Sequence, residues 1–362
     1  MAHPAQARGG WALTLLFLTT LSLPALAAAE LEGRARISAG GGVDTNARRD
    51  YDGAGAVADG LLSVQGAVEG RATFDSSQLL GSYDIGARRF FVYASEDVVV
   101  QMATAEGSFA VGRTMGFGLQ GRGRDRRGGE RDYTDLAASL FMDFVPDARL
   151  DLRAYAGAHR FIYWPVFSYS FAAREAGASV RYRFSRQHAV NAFGELGLRT
   201  YNATARLAPD PDAEPPPPDE PPLPPRTRED TAFVIGAGYS YRGPFTFSAV
   251  WSYADQSSNS FGETTRRHRL TLSSAFRLPW RLFLLAQLNL QLATYPDGVF
   301  LSPEVILEED AENHNALSLK LARPISEHFD VEVRYAVFQN RLADNGLYYF
   351  RQLAYAGLTW RY

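Results

Sequence analysis

The residues of this sequence best placed for chemistry are arginines and carboxylates that recur at even spacing. Glu69 with Arg71, Asp151 with Arg153, Arg181 with Arg183, Glu195 with Arg199, Arg267 with Arg269 and Arg277, and Arg334 further along, all follow this rule. On an extended chain successive side chains point to opposite faces, so even spacing gathers each group on one side. The chemistry on offer is electrostatic: a low-dielectric wall lined with one sign of charge focuses potential and concentrates the opposite ion. The face carrying these residues is expected to be net basic, although the whole chain has a formal charge of -3. Ion pairs between neighbouring strands would brace such a wall, leaving selectivity to the unpaired excess.

Catalytic patterns are sparse. Beyond the first thirty residues the histidines are His159, His188, His268, His314 and His328, and none stands in an H-E-x-x-H, G-x-S-x-G or phosphate-loop context. His314 beside Glu309, Asp310 and Glu312 is the one acid-plus-histidine grouping of the kind that activates water. No catalytic residue, metal or cofactor is expected. With no cysteine in the chain, a thiolate metal site, a disulfide framework and a lipoprotein anchor are excluded. The small net charge gives no sign of nucleic-acid binding.

The elements that must hold the arginines are strands. Residues 61–74 place Leu62, Val64, Val68, Ala72 and Phe74 on one face and Ser63, Gln65, Glu69, Arg71 and Thr73 on the other. The same alternation returns from Leu150, from Phe245 and around Leu288, with no convincing helical segment between. Leucine and aromatic rows of this kind are an aggregation hazard in water and a requirement in lipid. No stretch after the N-terminal segment is long and apolar enough for a membrane helix, so any span is β. The mean hydropathy of -0.21 also suits one greasy face and one wet face.

The first residues read as a secretory signal: Arg8, an apolar core from Trp11 to Leu23, the breaker Pro24, then small residues with cleavage after Ala27 or Ala29. That core, about 13 residues, is short of the ~20 that span a bilayer. Residues 1–29 are therefore expected to be the signal peptide and 30–362 a transmembrane antiparallel β-barrel. Short turns are expected at 75–78, 145–148, 185–187, 242–244, 278–280 and 323–328, with Arg281 and Leu282 already in the next strand. Longer links are expected at 44–60, 121–132, 163–169, 203–229, 255–264 and 295–314. The two sets alternate, as short periplasmic turns and longer external loops do in a membrane barrel. Counting gives about 16 strands, within a range of 14 to 18, with residues 97–122 split near 111–114 because an even number is needed. The link 203–229 contains PDPDAEPPPPDEPPLPP, an extended, backbone-solvated external loop.

The last segment puts Phe350, Ala354, Ala356, Leu358, Trp360 and Tyr362 on one face. The run Gly357, Leu358, Thr359, Trp360, Arg361, Tyr362 resembles the C-terminal β-signal of bacterial outer-membrane proteins: a glycine, apolar or aromatic residues following it, and a terminal aromatic. Tyr355 departs from that pattern, which usually carries a polar residue there. The resemblance implies a porin-like barrel in a Gram-negative outer membrane, with lipid and the barrel-insertion machinery as partners. It identifies no subfamily. A barrel of this size with a basic lumen is expected to pass small anionic solutes. A polysaccharide export conduit working with a periplasmic partner, and an adhesion or structural barrel acting through its loops, are the alternatives. Oligomeric state stays open.

Overall fold

Alternation of apolar and polar side chains sets the architecture. In the computed structural model, which describes residues 30–48, 55–129, 131–208, 225–297, 315–341 and 348–362, sixteen antiparallel strands close on themselves. They are β1 (Glu30–Asp44), β2 (Asp59–Thr73), β3 (Ser77–Phe90), β4 (Val98–Val111), β5 (Met115–Arg127), β6 (Tyr133–Phe144), β7 (Leu150–Tyr163) and β8 (Phe171–Arg183). There follow β9 (His188–Thr204), β10 (Thr227–Arg242), β11 (Phe245–Ser258), β12 (Thr265–Arg277), β13 (Phe283–Thr294), β14 (Ala316–Pro324), β15 (Phe329–Arg341) and β16 (Tyr348–Arg361). Each strand pairs with its chain neighbours, and β1 meets β16 in register from Arg36 opposite Arg361 to Asp44 opposite Leu353. Closure leaves no free sheet edge, so every strand backbone has a neighbour to bond.

The faces are identified by what they bury. Asp44 is 0% and Arg351 2% exposed, whereas the apolar Ile37 and Leu358 are 51% and 52% exposed. The polar side chains therefore point into the barrel and the apolar ones out, the arrangement that lipid outside and water inside demand. Among the described residues, two small apolar clusters pack inside near the long-loop end. One joins Ala47, Leu61 and Phe90 with Tyr93 and Leu353. The other joins Phe171, Ala173 and Tyr201 with Phe161 and Ala203.

The split of 97–122 falls where parity required it, at a turn whose Gly112 takes the left-handed conformation (φ 69°). Four expected boundaries are corrected. Residues 121–127 continue β5 instead of opening a loop: Gly121 and Gly123 hold the outward positions, so no large apolar residue marked that face. β11 runs on to Ser258, beyond the expected loop start at 255, and β10 begins at Thr227, inside the expected loop 203–229. Arg281 and Leu282 belong to the turn before β13, where Trp280 and Arg281 both have φ of 60°. The signal peptide, most of the proline-rich loop, and the group of His314 with Glu309, Asp310 and Glu312 lie outside the described residues.

Candidate functional site: the inner wall

Register decides which charges reach the lumen. Glu69 and Arg71 on β2 share the inward parity of Thr73, which lies opposite Glu30 of β1. Asp151 and Arg153 on β7 lie opposite Arg181 and Ser179 of β8, and Arg181 and Arg183 lie opposite Asn191 and Ala189 of β9. Glu195 and Arg199 on β9 lie opposite Val234 and Asp230 of β10. Arg267, Arg269 and Arg277 on β12 alternate with outward Leu270 and Leu272, and Arg334 on β15 lies opposite Lys320. All twelve positions therefore face inward.

Many of these groups are tied to the wall. Arg153 donates from Nε to Asp143 Oδ1 at 2.7 Å and from Nη2 to Asp143 Oδ2 at 2.9 Å, and reaches Glu106 at 3.3 Å. Arg183 meets Asp151 at 2.5 Å, and Arg334 meets Glu332 at 2.5 Å. Arg269 donates to Gln291 Oε1 at 2.8 Å and Arg199 to Gln256 Oε1 at 3.1 Å. Arg71 donates to the amide oxygen of Gln78, and Glu195 accepts from the hydroxyl of Tyr155. Arg181, Arg277 and Glu69 enter no hydrogen bond or ion pair among the described residues. These contacts are braces in the physical sense, charge-assisted bonds that fix the wall's own side chains.

Three inward arginines escaped the sequence reading. Arg122, Arg124 and Arg126 stand one above another on β5, opposite Ala137, Asp135 and Tyr133 of β6 and Thr104, Met102 and Val100 of β4. Asp135 is the one acid directly across from the ladder, and its carboxylate is already engaged by His159, whose Nε2 lies 2.7 Å away. The other ring nitrogen of His159 lies 2.8 Å from Glu175, so the imidazole ties β6 to β8. Arg122 and Arg124 are exposed to the lumen and make no hydrogen bond or ion pair among the described residues. The signal for the ladder was present as alternate arginines in GRGRDRR, masked by the glycines between them.

Two further charge clusters sit near the long-loop end. Asp44 and Arg351 bridge the β1/β16 seam. Arg228 chelates Asp230 at 2.7 and 3.1 Å, lies 3.9 Å over the ring of Tyr201, and reaches Glu263 at 3.2 Å. Burial pushes the Glu263 carboxyl, which stands in the loop after β11, above the ordinary glutamate range despite the nearby guanidinium groups of Arg228 and Arg206.

Aromatic rings line the wall flat. Phe141 occupies the space a β-carbon on Gly118 would take, and Arg153 lies 4.0 Å over its ring centre. Tyr355 lies likewise against Gly40 and Gly357, with Arg334 5.5 Å above. Tyr355 thus faces the lumen, the side on which a polar residue is normally found, and the glycines beneath it make room for the larger ring. Gly357 underlies that ring, while Leu358, Trp360 and Tyr362 point outward at the short-turn end, the last two stacked at 6.2 Å.

No family profile and no curated protein sequence matches the chain. Among solved structures, OmpF of Salmonella typhi in complex with daunomycin is 12% identical with a TM-score of 0.50, covering 92% of this chain and 98% of that one. A bacterial polysaccharide outer membrane secretin is 10% identical at a TM-score of 0.46, covering 91% of this chain and 98% of that one. OccAB3 of Acinetobacter baumannii is 9% identical at 0.44, covering 91% and 99%. The likeness to the OmpF structure is one of fold, and the fold is a closed, porin-like, membrane-spanning antiparallel barrel of sixteen strands.

Proposed function

We propose that this protein is a channel of a Gram-negative outer membrane whose lumen passes small anionic solutes. The observation that carries the reading is the pair Arg122 and Arg124, inward on one strand and exposed to the lumen, with Asp135 directly across from Arg124 already engaged by His159. Guanidinium groups exposed along a lumen attract anions and repel cations, and they do so more strongly beside a low-dielectric wall. Arg181 and Arg277 add to the unpaired excess. The paired arginines, Arg153, Arg183, Arg269 and Arg334 among them, act mainly as braces. Barrels of sixteen strands leave room for water along the axis, which supports passage by diffusion.

Outer-membrane placement is supported by the exposed apolar face and by the aromatic residues at the short-turn end, which suit a lipid interface. Gly357, Leu358, Trp360 and Tyr362 serve in this reading as the signal for the insertion machinery. We assign no catalytic role to any residue.

The test is single-channel recording of the purified mature protein in a planar bilayer. Stable open steps with anion preference are expected. A folded barrel that stays silent would overturn the open channel and favour an export conduit that opens only with a periplasmic partner, or a scaffold acting through its loops.

A further inference from the structure

Two of the arginines that point away from the lumen stand side by side. Arg160 on β7 lies opposite Leu136 and Ala172, and Arg174 on β8 lies opposite Ala158 and Leu198; all of these are outward positions. The two guanidinium groups are diagonal neighbours on adjacent strands, a separation of about 7–8 Å between backbones and within reach of one small anion. Neither makes a hydrogen bond or ion pair among the described residues. Their contrast is Arg266, also outward, which is bonded to Asp255 at 3.1 Å.

Depth explains how the pair is tolerated. From Leu150 at the short-turn end to Arg160, strand β7 rises about 34 Å along its own axis, or about 25 Å along the membrane normal at the usual tilt. That is the height of a barrel's apolar band, so both arginines stand at its long-loop edge, where lipid headgroups begin. Immediately below them the outward surface of β7 and β8 is alanine, with Ala154, Ala156, Ala158, Ala176 and Ala178 exposed before Leu152 and Val180, and the neighbouring strands carry the exposed Leu140 and Leu198 on either side. The result is a shallow apolar channel on the outer wall that runs down from two unpaired cations.

We propose that Arg160 and Arg174 bind the phosphate of an anionic membrane lipid, whose acyl chain lies along the alanine face beneath them. Charge complementarity selects the headgroup: two forked donors on neighbouring strands of one face suit a phosphate better than a zwitterionic group, whose own cation competes with them. The inference rests on the membrane placement of the barrel and is independent of whether the lumen conducts.

The experiment uses the full mature barrel in detergent micelles, titrated with dioleoyl phosphatidic acid and read by native mass spectrometry. Wild type is expected to retain one such lipid, and Arg160→Gln with Arg174→Gln to weaken retention about tenfold or more, the scale of one lost charge-assisted interaction. Arg266→Gln is expected to leave retention unchanged, and heat-modifiable migration verifies that each variant is folded. Equal retention by wild type and the double variant would overturn the site. Retention of phosphatidylcholine equal to that of phosphatidic acid would overturn the headgroup assignment. Displacement of the lipid by millimolar inorganic phosphate would show an ion site with no lipid preference and would also sink the proposal. A barrel that conducts anions yet binds no lipid would leave the channel reading intact.

Discussion

Arg351 and Asp44, 307 residues apart in the chain, form a buried ion pair with Nε 2.9 Å from both carboxylate oxygens and Nη2 2.5 Å from one. It joins the last strand to the first. Removing one partner strands the other charge without water, a cost of about 3–5 kcal/mol for a buried pair. Asp44→Ala or Arg351→Ala is therefore expected to lower the free energy of unfolding by that order, measured as a fall in the urea midpoint at unchanged m. Replacing both together with apolar residues of similar volume should recover most of the loss; equal damage from the double change would show that the pair is not the cause.

The ladder on β5 makes a prediction about charge. A wall of one sign raises the local concentration of counter-ions by about tenfold or more. Arg122→Glu with Arg124→Glu should therefore swing the anion-to-cation permeability ratio by at least that order, measured from reversal potentials in a salt gradient. Removing a brace as a pair, Arg153→Gln with Asp143→Asn, should change the ratio far less, because the wall's net charge is then unaltered. Both variants giving the same shift would remove the distinction between braces and selectivity residues.

Gly118 and Phe141 predict a packing effect with a functional readout. A side chain at Gly118 must push the Phe141 ring off the wall, and overpacking of this kind costs about 1–3 kcal/mol. Gly118→Val is expected to lower stability by that amount and to reduce conductance, because the displaced ring and the Arg153 above it move into the lumen. Unchanged conductance would mean that the ring relaxes sideways instead.

Adjacent residues on β13 test the facing of the strands directly. Leu288 lies opposite Leu272 and Leu317 on the outward side, and Gln287 opposite Ser273 and Ser318 on the inward side. Leu288→Arg should cost about 2–4 kcal/mol if it lies near the bilayer midplane, while Gln287→Arg should be tolerated and alter selectivity. The reverse order would invert the assignment of faces for the whole barrel.

The period-2 pattern made the strands legible from sequence because outward leucines and aromatics contrast with inward charges, as on β2, β7 and β13. It failed on β5, where the outward residues Gly121 and Gly123 carry no apolar signal and the segment read as a loop. The inward side of the candidate arginines was legible by the same parity. Their partners were not: that Arg153 meets Asp143, or that Arg351 meets Asp44, depends on strand register, which alternation within one strand does not encode. How Tyr355 is accommodated was illegible for a related reason, since its fit depends on Gly40, a residue of the opposite terminal strand.

The order of the strands also bears on how the barrel is assembled. Fifteen of its sixteen pairings join consecutive strands, so each hairpin brings together segments already close along the chain, and only the β1/β16 contact spans nearly the full length. Local pairings lose little chain entropy and form fast, whereas a long-range closure is slow and comes after them. Ring closure is thus the natural last event, a latch on a ribbon already built. Substitutions at the seam would slow the final step, while those within a hairpin would disturb the ribbon before there is anything to close.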